Sequence, residues 1–158
     1  MAIVSTFRIP AEVIFGAGAL AQVPAKVAEF GARRVLLITD KGLRQAGIPD
    51  NMVESLRTAG LTVEIFDDIA GEPSLETLET CREIVRKGKY ELVVALGGGS
   101  AMDTAKAAAC LAFNEGVAGG FIGTNLIPRP GLPVIALPTT AGTASEVTPN
   151  AIFADNVN

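Results

Sequence analysis

Val35-Leu36-Leu37-Ile38 is an apolar run with no polar residue alternating into it. A strand with one wet face alternates, so a run this short without alternation fits a strand buried on both faces. Residues 92–96 and 133–137 repeat the pattern, and 62–66 is a fourth strand candidate. Between them lie segments with helix punctuation. One follows Pro24 and stops at Gly31, and a second runs over 49–59 to Gly60. A third covers about 74–87 and ends at Gly88, and a fourth starts after Gly97-Gly98-Gly99 and reaches about Phe113. Strands alternating with helices of this length make βαβ units, which predict an α/β, doubly wound, mainly parallel sheet with helices on both faces. One domain over residues 1–158 is expected. Residues 7–15 hold two short extended pieces around Pro10, a predicted N-terminal β-hairpin. At the other end 150–153 reads as one more strand, with Asp155-Asn156 as a turn and no return strand after it. That pattern predicts a chain that was cut or is completed by something else.

Composition excludes several function classes. Thirteen Lys and Arg against seventeen Asp and Glu give a net charge of −4. With no basic block, the electrostatic footprint of a nucleic-acid binder is missing. No apolar run approaches the roughly 18 residues of a membrane span. Residues 1–10 lack the charged-then-apolar pattern of a secretion signal, so a cytoplasmic location is expected. The chain has no His, which removes every Ser/His, Cys/His and His-metal arrangement. Cys81 and Cys110 form no CxxC unit and fall in predicted helices, so both are expected as reduced core thiols. Chemistry is left to hydroxyls, carboxylates, amines and backbone.

In an open α/β sheet, ligands sit beyond the carboxyl ends of the strands. There the third long strand meets Gly97-Gly98-Gly99-Ser100. Glycines let backbone approach a ligand closely, and the helix that follows offers unpaired N–H groups and its positive dipole end, a combination suited to phosphate. Ala101, Ala105, Ala108 and Ala112 fall on one face of that helix, which lets it pack close to the sheet. Ser100 and Asp103 also have the spacing of a capping box. Capping leaves three glycines unexplained, since one makes a turn. The loop is no P-loop, because no Gly-Lys-Ser/Thr follows, and no GxGxxG, because Met102 stands at the third glycine position.

Gly16-Ala17-Gly18-Ala19-Leu20-Ala21 does satisfy G-x-G-x-x-A, with Asp40 at about the usual distance downstream. The strand before it is short and follows Pro10, and Pro24 pushes the regular helix past the glycines, so the fingerprint is a weaker phosphate site than the triple glycine. Asp40 has two readings, an acceptor for adenosine ribose hydroxyls that repels a 2′-phosphate, or a helix cap. After residue 137, Thr139, Thr140, Thr143 and Ser145 cluster in a second ligand-loop candidate. Thr143 and Glu146 there have capping-box spacing too, which leaves Thr139 and Thr140 without a structural role.

Residues 97–106 (GGGSAMDTAK) and 138–148 (PTTAGTASEVT) together resemble the iron-containing (group III) alcohol dehydrogenases, and Phe15-Gly16-Ala17-Gly18 and Thr39-Asp40 fit as well. The resemblance covers essentially the whole chain. It implies the Rossmann-like N-terminal domain shared with dehydroquinate synthases, NAD as cofactor, and a small alcohol or aldehyde as substrate. It further implies cofactor contacts from Asp40, Gly97, Gly98, Gly99, Ser100, Asp103, Thr139, Thr140, Thr143 and Ser145, with Asn150 as a weaker one. Glu72 stands where many relatives carry Asn near the adenine. Relatives continue into a helical domain whose Asp and three His bind Fe²⁺ or Zn²⁺. With no such ligands here, the chain is expected to be a truncated or separately encoded cofactor domain, inactive alone, associating as a homodimer or larger homo-oligomer. The alternatives are a stand-alone nucleotide- or partner-binding module, and a relative of glycerol dehydrogenase or dehydroquinate synthase.

Overall fold

The computed structural model describes residues 12–154. Its sheet has strands β1 (Arg34–Ile38), β2 (Thr62–Phe66), β3 (Leu92–Gly97) and β4 (Val134–Pro138). They pair in the order β2-β1-β3-β4, and every pairing is parallel. Helices α1 (Val23–Glu29), α2 (Lys41–Gln45), α3 (Ile48–Thr58), α4 (Leu75–Gly88) and α5 (Gly99–Leu111) connect and cover it. The expected doubly wound parallel sheet is present.

Side-chain alternation along the central strands divides the core in two. Leu36, Ile38, Val93 and Ala95 pack with Leu78, Cys81 and Val85 of α4 and the alanine face of α5. Val35, Leu37, Leu92, Val94 and Leu96 pack on the opposite side with Val23 and Val27 of α1 and Met52, Val53 and Leu56 of α3. Both faces of β1 are therefore dry, which is why its sequence does not alternate. Each buried Val, Leu, Ile or Met side chain among them contributes about 1.5–3 kcal/mol. Ala101, Ala105 and Ala108 are fully buried and Ala112 nearly so, as close packing of α5 on the sheet requires. Burial pushes the Cys81 thiol up to about 12, and both cysteines are free.

The long connection after α5 is fastened by two buried polar side chains. Arg82 donates to the carbonyls of Leu111 (2.9 Å), Gly116 (2.6 Å) and Asn114. Asn114 donates to Cys110 O at 2.6 Å and Arg129 O at 3.0 Å, while its Oδ1 accepts from Arg129 N at 3.0 Å. Gly131 then crosses α5 backbone to backbone, and a Cβ on it would lie 2.2 Å from Ala109 O.

Two expectations at the chain ends change. Most of the predicted hairpin over 7–15 lies outside the described residues, and the part inside, 12–15, is in no strand. Residues 150–153 are not a strand either; what forms is a single parallel bridge between Ala154 and Ser74. The backbone of 150–153 is otherwise engaged, because side chains of α5 bind Asn150 O and Ile152 N. Among the described residues no helix is long and apolar enough to cross a membrane.

Candidate functional site

The chain leaves β1 toward β2 on one side and leaves β3 toward β4 on the other, so the strand order reverses between β1 and β3. A crevice opens at such a switch point, beyond the carboxyl ends of the two strands. Asp40 follows β1, and Gly97-Gly98-Gly99 ends β3.

Asp40 fills its expected capping role with one oxygen and turns the other toward the glycine loop. It is the N-cap of α2, where Oδ1 accepts from Leu43 N at 2.9 Å. Oδ2 lies 3.4 Å from where a Cβ on Gly97 would stand, so it faces the glycine loop.

None of the three glycines has a positive φ. Space favours glycine at the first two, and the third has room for a Cβ. A Cβ on Gly97 would come within 2.6 Å of Ala101 Cβ, one on Gly98 within 3.1 Å of Thr140 Oγ1, and one on Gly99 within 3.4 Å of Thr143. The glycine loop and the hydroxyl-rich loop therefore face each other across little more than the width of a side chain. Gly98 is the N-cap of α5, with no side-chain cap. Ser100 is thus inside the helix, and the expected Ser100–Asp103 capping box does not form. Met102 N makes the first α-helical bond, to Gly98 O at 3.1 Å. The N–H groups of Gly99, Ser100 and Ala101 precede that bond and carry the positive end of the helix.

The hydroxyl-rich loop begins where Thr139 N donates to Gly97 O at 2.9 Å. Thr139, Thr140 and Thr143 are exposed. The second predicted capping box is also absent. Ser145–Val147 is a short 3-10 turn entered through Ala144 at φ 55, with no side-chain cap. Ser145 is buried and donates its hydroxyl to the Asp103 carboxylate. Asp103, itself buried, accepts from Ile152 N at 3.0 Å through its other oxygen. Lys106 Nζ lies 2.9 Å from Asp103 Oδ1 and donates to Ser145 O at 2.9 Å, Thr148 O at 3.2 Å and Asn150 O.

Asp40, the three glycines, Thr140 and Thr143 thus converge on one crevice. Asp103 and Ser145 instead commit their side chains, and Asn150 its carbonyl, to a network around Lys106. Sequence reasoning assigned Lys106 no role, although it sits in the glycine motif one helical turn beyond Asp103, a spacing that makes the pair neighbours. Thr39, fully buried after β1, has a hydroxyl with no partner, and nothing in its residue type announced that. A groove of about 560 Å³ between α4 and residues 115–119 includes none of the predicted site residues. Among the described residues no three His, Cys, Asp or Glu side chains come together as metal ligands. With no His in the sequence, iron or zinc has no fitting donor set here.

Residues 10–158 match the family described as iron-containing alcohol dehydrogenase. The chain is 43% identical over 136 residues to long-chain-alcohol dehydrogenase 1 of Geobacillus thermodenitrificans, covering 84% of this chain and 34% of that protein. It is 34% identical over 152 residues to the NAD-dependent methanol dehydrogenase of Bacillus methanolicus, covering 96% and 40%. Sulfoacetaldehyde reductase from Bifidobacterium kashiwanohense, solved in complex with NAD⁺, superposes with a TM-score of 0.82 at 34% identity, covering 93% of this chain and 39% of that one. The chain spans well under half the length of each.

Proposed function

Because the chain belongs to the iron-containing alcohol dehydrogenase family, we propose that it forms the NAD-binding part of an enzyme that moves hydride between an alcohol and its aldehyde. The observation that carries this reading is the convergence of Asp40, Gly97–Gly99 and the threonines at the switch point. The pyrophosphate rests on the N–H groups of Gly99 and Ser100, with Gly98 leaving the space for it. Asp40 accepts from the adenosine ribose through the oxygen that α2 does not use, and its charge excludes a 2′-phosphate. Thr139, Thr140 and Thr143 offer neutral hydroxyls to the nicotinamide side. NAD, when bound, supplies the hydride acceptor; the protein binds and orients it. Substrate and further copies of the chain are the proposed partners. A metal role is assigned to none of residues 12–154.

Titration calorimetry tests this. The chain binds NAD, and Gly98→Val removes binding while the melting temperature stays near that of the parent. The fold survives because the new side chain meets an exposed threonine rather than backbone. Normal NAD binding by Gly98→Val would place the phosphate elsewhere, with the Gly16–Gly18 turn as the next candidate.

A further inference from the structure

We propose that Lys106 is a positioning residue for the nicotinamide end of the cofactor site, acting through the hydroxyl-rich loop; the inference rests on the NAD reading above. An ammonium group has three protons and no acceptor. The Lys106 ammonium faces three carbonyls, of Ser145, Thr148 and Asn150, together with the Asp103 carboxylate. Three carbonyls within so short a stretch meet at one point only if the chain curls around that point. Residues 148–153 belong to no helix or strand, so regular hydrogen bonding does not shape them. Asp103 completes the clamp by accepting from the Ser145 hydroxyl and from Ile152 N. Both side chains are mostly buried, at 18% and 12% exposure, where charge-assisted bonds are stronger than in water.

The other end of the loop is tied by Thr139 N to Gly97 O. Both ends are therefore anchored on β3 and α5, the unit that carries the glycines. Between the anchors, Thr140 and Thr143 are held over Gly98 and Gly99. Removing the ammonium frees the far end of the loop but leaves the helix N-terminus and Asp40 as they are. The loss therefore falls on the nicotinamide half of the ligand and spares the ADP-ribose half.

The experiment compares binding of NAD and of ADP-ribose, which lacks nicotinamide, to the chain and to Lys106→Met, with amide exchange followed in both. We expect NAD affinity to fall on the order of tenfold and ADP-ribose affinity to change by less than about twofold. Exchange should rise over 145–152 and stay unchanged in β1 and β3. Lys106→Gln, which keeps two donors, gives the same pattern at smaller size and serves if the Met variant does not fold. Equal loss of both ligands with a lowered melting temperature overturns the proposal and leaves Lys106 a support of the fold. So does a loosened loop that binds NAD as before. A parent chain that binds ADP-ribose and NAD equally well overturns the proposal but keeps the phosphate site. A parent that binds neither overturns the NAD reading itself.

Discussion

At the scale of single residues, the carboxylates and hydroxyls of this chain divide by what their second oxygen or neighbouring group is doing. Asp40 keeps one oxygen for Leu43 N and turns the other toward Gly97. Asp40→Gly removes both, yet glycine is a tolerable N-cap, so stability falls by only a few tenths of a kcal/mol. Bonds to a charged acceptor are worth about 1.5–3 kcal/mol each, so NAD affinity falls by about ten- to hundredfold while NADP does not lose with it. Dissociation constants for the two cofactors measure the ratio; an unchanged ratio would make Asp40 a cap alone. The position of Asp40 was legible because it follows a buried strand. The capping reading of Asp103 fails for a physical reason. Ser100 and Asp103 satisfy the capping-box spacing, but the true N-cap is Gly98. The register shift carries Asp103 out of the first turn and into contact with Ser145 and Ile152. Nothing local in a sequence reports a partner some forty residues away.

Elements were easier to read than their ends. The buried strands declared themselves by unbroken apolar runs, and Gly31, Gly60 and Gly88 marked helix ends to within a few residues. The short helix α2 was missed because it lies between the cap of Asp40 and a left-handed Gly47, too brief for any periodicity to register. Residues 150–153 were misassigned because apolar residues favour a strand, whereas the side chains of α5 had already claimed the backbone groups a ladder needs. Gly131 shows the opposite case, a glycine in a loop rich in them that matters by contact. Its missing side chain lets the connection touch the backbone of Ala109 and Cys110. Gly131→Ala should cost about 1–3 kcal/mol, since backbone gives way less readily than a side chain. Urea unfolding followed by circular dichroism reads this directly, and an unchanged midpoint would mean that the connection shifts freely over α5.

For the whole molecule, the decisive fact is whether the described residues can hold a catalytic metal. A catalytic metal needs about three protein ligands, and no such group exists among the described residues. The chain should therefore form no NADH from short alcohols, with or without added Fe²⁺ or Zn²⁺, even where calorimetry shows NAD bound. Metal-dependent turnover above background would demand an active site different from the crevice described here. The strand order has a consequence for how the chain is made. β1 pairs with β2 on one edge and with β3 on the other, and β3 comes later in the sequence than β2. During synthesis from the N-terminus, β1 and β2 can zip together early, while the second edge of β1 stays bare until residues 92–97 emerge. Parallel pairing across such separations is slow, and a bare apolar edge invites wrong partners. The interval between the release of β1 and of β3 is thus the period in which a nascent chain of this design most needs a chaperone.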